Sequence, residues 1–161
     1  MKKSLIDGDS AAATFLLPAK THDKTHDLSQ VVRIVYGNTS FSFTGDTKWD
    51  AAHDMVNAGL KLSSAPLSVG RHGSNTSSSY VFLRKVTPEC AVISVGKGIS
   101  IVHPDEGTLS RLPDVGAQVY HTDLQGTITC VSLDMLYALK QKRTLTAMKI
   151  PKSTAICWLL A

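Results

Sequence analysis

The sequence has no apolar run near the ~18 residues that a membrane-crossing helix needs, and the closing Ile-Cys-Trp-Leu-Leu-Ala is too short to span a bilayer. Its first residues also do not read as a signal peptide. The basic start Met-Lys-Lys is followed by Asp7 and Asp9, which interrupt what would be the apolar core of a leader. Cysteine is scarce: Cys90, Cys130 and Cys157 are odd in number, far apart and in no C-x-x-C arrangement. This pattern favours buried thiols over a disulfide framework or a zinc site. Cys90 and Cys130 lie in apolar strand-like runs, where cysteine acts as a small hydrophobe. Buried thiols fit a reducing compartment such as the cytoplasm. Charge of one sign is not in strong excess, at a net +4, which permits contact with phosphate without arguing for it. The basic cluster Lys140, Lys142 and Arg143 reads as the solvated face of a helix.

With 161 residues, 43% apolar and 19% charged, the chain is long enough for one globular domain with a sizeable core. The run from Leu28 to Asp46, LSQVVRIVYGNTSFSFTGD, predicts an antiparallel hairpin: a β-branched strand, a Gly37-Asn38 turn, and a second strand of period two. KWDAAHDMVNAGL predicts a helix with Trp49, Ala52, Val56 and Leu60 near its inner face and Gly59 as a stop. PLSVG is a short buried strand. SSSYVFLRKV is a helix with a serine N-cap and with Tyr80, Leu83 and Val86 inward. CAVISVG is another buried strand, ending in the flexible Gly-Lys-Gly of 96–98. HPDEGTLSRL is a helix that Pro113 ends. AQVYHT and TITCVSL are strands around a turn at Asp123-Leu124-Gln125-Gly126, and DMLYALKQKR is a last helix. Alternating strands and helices imply a layered α/β domain.

Three strand ends carry residues suited to chemistry. Asp46, in Thr44-Gly45-Asp46, can bridge two cations with its two oxygens, or simply cap a helix. In VGRHGSNTSSS (69–79), His72 can ligate a metal through a neutral ring nitrogen. Gly73 permits close backbone approach, and Ser74 can orient a phosphate or cap the next helix. Arg71 can grip a phosphate bidentately but can never be a metal ligand. His103, before Pro104 and Asp105, can line the same cleft or belong to a helix cap. His121-Thr122-Asp123 reads as a turn. The repeat THDKTHD (21–27) sets His22 and His26 four apart with no glutamate base as in H-E-x-x-H, and reads as a polar connector. His53 is structural.

Taken in order, SQVVRIVYGNTSFSFTGD, PLSVGRHGSNTSSS, FLRKVTPECAVISVGKG, IVHPDEGTLSRL and GAQVYHTDLQGTIT resemble the C-terminal half of the metallo-β-lactamase-fold domain of the ComEC competence (DNA-uptake) family. The resemblance covers about residues 14–128. It implies a four-layer αββα sandwich made of two similar halves, of which residues 1–143 would form a truncated version and residues 144–161 a tail of unknown role. It implies a divalent-metal cofactor, zinc or manganese, whose bound water attacks a phosphodiester or similar ester. By the same resemblance Asp46 bridges metal and His72 ligates it. Arg71, Ser74 and His103 then contact substrate or support the site.

The sequence also departs from the family pattern. H-x-H-x-D-H occurs nowhere. Arg71-His72 stands where a histidine pair is usual, and Val102 stands where glycine precedes the histidine that maps onto His103. Asp46 and His72 are two ligands where a catalytic zinc site keeps about three and an open position. The expectation is a metal-dependent hydrolase of phosphodiesterase or nuclease type, related to DNA uptake and weak or inactive alone. Its partners would be DNA or another phosphodiester, and either a second copy or a chain supplying the missing half. Full-length family members may be membrane-attached. The alternatives are a non-catalytic remnant or interaction module and, less favoured, an anion-binding module that works without metal.

Overall fold

A computed structural model describes residues 2–8, 11–18, 29–98, 103–132, 137–141 and 156–160. THDKTHD lies outside the described residues, as do Lys142, Arg143 and residues 144–155.

The chain opens with an antiparallel meander. β1 (Lys2–Gly8) pairs with β2 (Ala11–Leu16), β2 with β3 (Val31–Tyr36), and β3 with β4 (Thr39–Phe43). The expected hairpin is β3–β4, and Gly37 at its turn takes φ 53°, a conformation that costs glycine little. The strand character of 2–16 was not read from the sequence, because Lys-Lys-Ser and Ala-Ala-Ala carry weak strand propensity.

From β4 onward the sheet becomes parallel. β5 (Pro66–Ser68), β6 (Cys90–Ile93) and β7 (Gln118–His121) add in order, giving seven strands, β1 to β7. Parallel neighbours need a crossover. Here α1 (Trp49–Asn57), α2 (Tyr80–Val86) and α3 (Glu106–Asp114) supply it. All three pack on one sheet face through Ala52, Met55, Phe82, Leu83, Val86 and Leu112, against Leu67, Ala91 and Ile93. The alternate residues of β6, Cys90 and Val92, point to the other face and meet Tyr120 and Ile128. All four residues of β6 are buried, as a strand covered on both faces requires.

Ile128 belongs to a second, three-stranded sheet in the order β10–β8–β9: β8 (Ile128–Ser132), β9 (Tyr137–Gln141) and β10 (Ile156–Leu160). A hydrogen bond between Thr39 Oγ1 and Ser132 Oγ ties the far end of β8 to the start of β4. The described layers are therefore helix, mixed sheet and second sheet, an α/β arrangement.

Several expectations are corrected. Residues 137–141, read as part of a last helix, form β9: Tyr137, Ala138, Leu139, Lys140 and Gln141 pair residue by residue with β8, so pairing overrides their helical propensity. Lys140 thus sits on a strand. The turn read at residues 123–126 is the one-turn helix α4 (Thr122–Gln125), which Gly126 closes. Pro113 does not end α3, which runs to Asp114. Tyr80 is 38% exposed rather than inward, with Phe82 buried in its place; Trp49 is 43% exposed, and Met55 fills the core position beneath α1. Ser79 does cap α2, accepting from the Phe82 N–H.

Candidate functional site

Strands β4 to β7 run parallel, so their C-terminal ends lie on one edge of the sheet. That edge is where open α/β sheets place their ligands. The candidates follow these strand ends, and all but Ser74 are exposed or half-buried. Asp46 follows β4, Arg71 and His72 follow β5, and His103 stands before α3, beyond β6.

The loops are stitched together. Thr44 Oγ1 donates to the Ser68 carbonyl (2.8 Å), and Arg71 N–H donates to the Gly45 carbonyl (2.9 Å). The loops carrying Asp46 and His72 are thus joined directly. Gly70 fits beneath them with little room: a Cβ there would come to 3.1 Å from Thr44 Oγ1. Farther along the rim, Thr122 Oγ1 donates to the Val95 carbonyl and accepts from the Val95 N–H, each at 2.8 Å. This fixes the loop after β6 to the end of β7.

Residues 70–73 form a left-handed turn. Arg71 (φ 50°, ψ 43°) and His72 (φ 53°, ψ 29°) both occupy the region that side chains normally avoid, at roughly 1–2 kcal/mol each. The turn closes with Ser74 N–H on the Arg71 carbonyl. His72 is exposed, and its Nδ1 lies 2.6 Å from the Ser94 carbonyl oxygen. A carbonyl only accepts, so Nδ1 carries a proton, and in the neutral ring the lone pair is then on Nε2. Metal-binding histidines are oriented in the same way. Asp46 is exposed, its backbone N–H held by Ser29 Oγ.

Arg71 is half-buried, and its Nε and Nη1 are enclosed with no hydrogen-bond partner among the described residues. His103 is half-buried, and its Nδ1 is likewise enclosed and unpartnered among the described residues. The segment after His103 presses on the turn: Asp105 N–H donates to the Gly73 carbonyl, and a Cβ on Gly73 would come to 2.6 Å from Pro104 Cβ. Ser74 is only 6% exposed. Its hydroxyl contacts Thr76 Oγ1, and its carbonyl accepts from Ser77 and Thr108. Ser74 therefore supports the turn from below rather than facing the rim.

A residue the sequence reading did not single out, Arg111, binds this loop to α3. Its Nε donates to the Ser78 carbonyl (3.1 Å), Nη1 to Asn75 Oδ1, and Nη2 to Thr108 Oγ1 and, at greater length, to the Asn75 and Ser77 carbonyls. The guanidinium also lies 5.7 Å from the centroid of the Trp49 ring. Four of the acceptors are loop groups more than thirty positions away, so no spacing in the sequence marks them.

The donor set was tested for a metal. Among the described residues, no three His, Cys, Asp or Glu side chains come together as a group that could hold an ion. Asp46 and His72 are two ligands, and Arg71 beside them is a cation. These residues by themselves do not fit a dinuclear centre.

No family model matches the chain. It is 37% identical over 122 residues to "Competence protein ComA" of Neisseria gonorrhoeae, covering 74% of the chain and 18% of that protein. It is 32% identical over 100 residues to "ComE operon protein 3" of Bacillus subtilis (strain 168), covering 62% and 13%. It is 30% identical over 122 residues to "Recombination protein 2" of Haemophilus influenzae, covering 76% and 15%. The chain is homologous to one segment of these competence proteins, in line with its sequence resemblance. It spans less than a fifth of the length of each.

Proposed function

We propose that this chain is the downstream portion of a metal-dependent, phosphodiesterase-like hydrolase domain of metallo-β-lactamase type, serving DNA uptake. In this reading a segment outside the chain, or a second copy, completes it. The observation that carries the reading is the rim itself. Asp46, Arg71, His72 and His103 gather at the C-terminal edge of four parallel strands, with the His72 ring turned so that Nε2 is an acceptor. The homology to ComA and its relatives supports the link to DNA uptake.

In this reading Asp46 and His72 contribute two ligands to a zinc or manganese site whose other ligands lie elsewhere. A bound divalent ion would supply Lewis acidity. What the chain itself does is orient. The Ser94 carbonyl holds the His72 proton on Nδ1, Ser74 and Arg111 brace the turn, and Arg71 and His103 face the position of a substrate phosphate.

The test is hydrolysis of bis(p-nitrophenyl) phosphate with manganese or zinc, by the chain alone and after co-expression with an upstream segment carrying H-x-H-x-D-H. The expected result is turnover only in the complemented protein, abolished by Asp46→Ala. Complemented protein that binds no metal and shows no turnover would favour a non-catalytic interaction module instead.

A further inference from the structure

We infer that Arg71 is a metal-independent binding position for a phosphate oxyanion. The inference rests on the reading of this rim as the seat of a phosphodiester. It assigns the recognition of the charged group to the chain's own guanidinium rather than to a cation.

The argument begins with an imbalance. A guanidinium carries a permanent charge and five donors in a rigid fork. Arg71 holds this group half-buried, with Nε and Nη1 enclosed and unpartnered, and no carboxylate pairs with it among the described residues. Leaving an enclosed donor without an acceptor costs about 1–3 kcal/mol per group. Nothing about the backbone explains it away, because that part of the residue is fully engaged. Its N–H is on the Gly45 carbonyl and its own carbonyl accepts from Ser74. The fold also places Arg71 and His72 in the left-handed region, where strain collects at functional positions.

Arg111 gives the contrast within the same molecule. It spends its fork on Asn75, Ser77, Ser78 and Thr108, as a structural arginine does. Arg71 spends none of its side-chain donors. Its Nη2, which is not enclosed, is the nitrogen left to meet a ligand from outside. A seated oxyanion then accepts from Nη2 in a charge-assisted hydrogen bond. His103, with Nδ1 also enclosed and unpartnered among the described residues, precedes Pro104, the residue that packs on Gly73 of the same turn. A free phosphate and a diester share this chemistry, and they are separable by experiment.

The experiment is thermal unfolding of the full chain in EDTA, at constant ionic strength, with inorganic phosphate, dimethyl phosphate or chloride. Phosphate at a hundredfold over its Kd is expected to raise Tm by roughly 5–10 °C over chloride. Protection by dimethyl phosphate as well identifies a diester site; protection by inorganic phosphate alone identifies a free-phosphate site. Arg71→Met is expected to abolish the protection while leaving Tm in chloride unchanged or higher, since it removes two enclosed donors that have no acceptor. Arg71→Lys keeps charge without the fork and is expected to retain only a minor part. No protection of the native chain, protection that requires manganese, or protection that survives Arg71→Met would each overturn the inference. A fall in Tm of Arg71→Met in chloride would mark a structural arginine and overturn it too. Asp46→Ala is expected to leave the phosphate effect intact, so failure of the hydrolase reading and failure of this one give different results.

Discussion

The His72 ring is anchored to the main chain of Ser94, Nδ1 to carbonyl oxygen at 2.6 Å. Because the acceptor is a backbone carbonyl at the end of β6, the ring orientation is set by the sheet and not by another side chain. Nitrogen-15 NMR of the imidazole is therefore expected to show the proton on Nδ1 and a bare Nε2. The opposite tautomer would remove the acceptor on which the metal-ligand role depends. Since His72 is exposed, His72→Ala should change stability by under about 1 kcal/mol while ending metal-dependent turnover of the complemented protein.

Arg111 is the contact that locks the loop of residues 74–79 to α3. Hydrogen bonds to a charged donor contribute about 1.5–3 kcal/mol each, though not additively. Arg111→Ala should cost about 2–4 kcal/mol and lower Tm by several degrees. Arg111→Lys should recover little, because an ammonium cannot reach Ser78, Asn75 and Thr108 together. A mutant within half a kcal/mol of the native chain in urea unfolding would show that the network is incidental.

The sequence made the local periods legible and left the long-range pairings hidden. β3–β4 was readable because Gly37-Asn38 sits between two runs of period two, and α2 because Ser79 caps it. The rim positions Asp46, Arg71, His72 and His103 were readable because each ends a strand or precedes a helix. What failed depended on partners far away. Residues 137–141 are strand only because β8 lies beside them, and residues 2–8 because β2 does. Tyr80 has an apolar body, yet its hydroxyl meets Asp114 at 2.5 Å on the surface, which amphipathic spacing cannot announce. The placement of Ser74 under the turn followed from bonds to Thr108, thirty-four positions on.

Gly73 carries the closest approach in the site. With φ +81° and Pro104 Cβ at 2.6 Å from an ideal Cβ, Gly73→Ala meets both a disfavoured backbone and a collision with a rigid ring. The expected loss is about 2–4 kcal/mol, accompanied by loss of the phosphate protection assigned to Arg71. Gly59→Ala provides the control. It also has positive φ (+66°) but nothing within contact distance, so it should cost only about 1 kcal/mol and leave protection unchanged. Equal losses at the two positions would show that backbone strain alone decides.

Two tyrosines set an alkaline limit. The hydrogen bond to Asp114 holds the Tyr80 phenol above its ordinary value, aided by desolvation and by the carboxylate's charge. Burial, with smaller contributions from Cys90 and Cys130, does the same for Tyr120. Both groups bind their proton more tightly folded than unfolded. Their contribution to stability is complete below the unfolded value of about 10 and is lost as pH rises through the folded values. Stability should therefore fall above about pH 10, and absorbance at 295 nm should show these phenols ionising later than free tyrosine. Tyr80→Phe is expected to soften the alkaline decline without altering stability near neutrality by more than a surface contact would. Tyr120→Phe keeps the buried ring and should soften it further, because it removes a hydroxyl that must ionise inside the sheet interface. A native chain whose tyrosines titrate together at the free value would contradict both assignments.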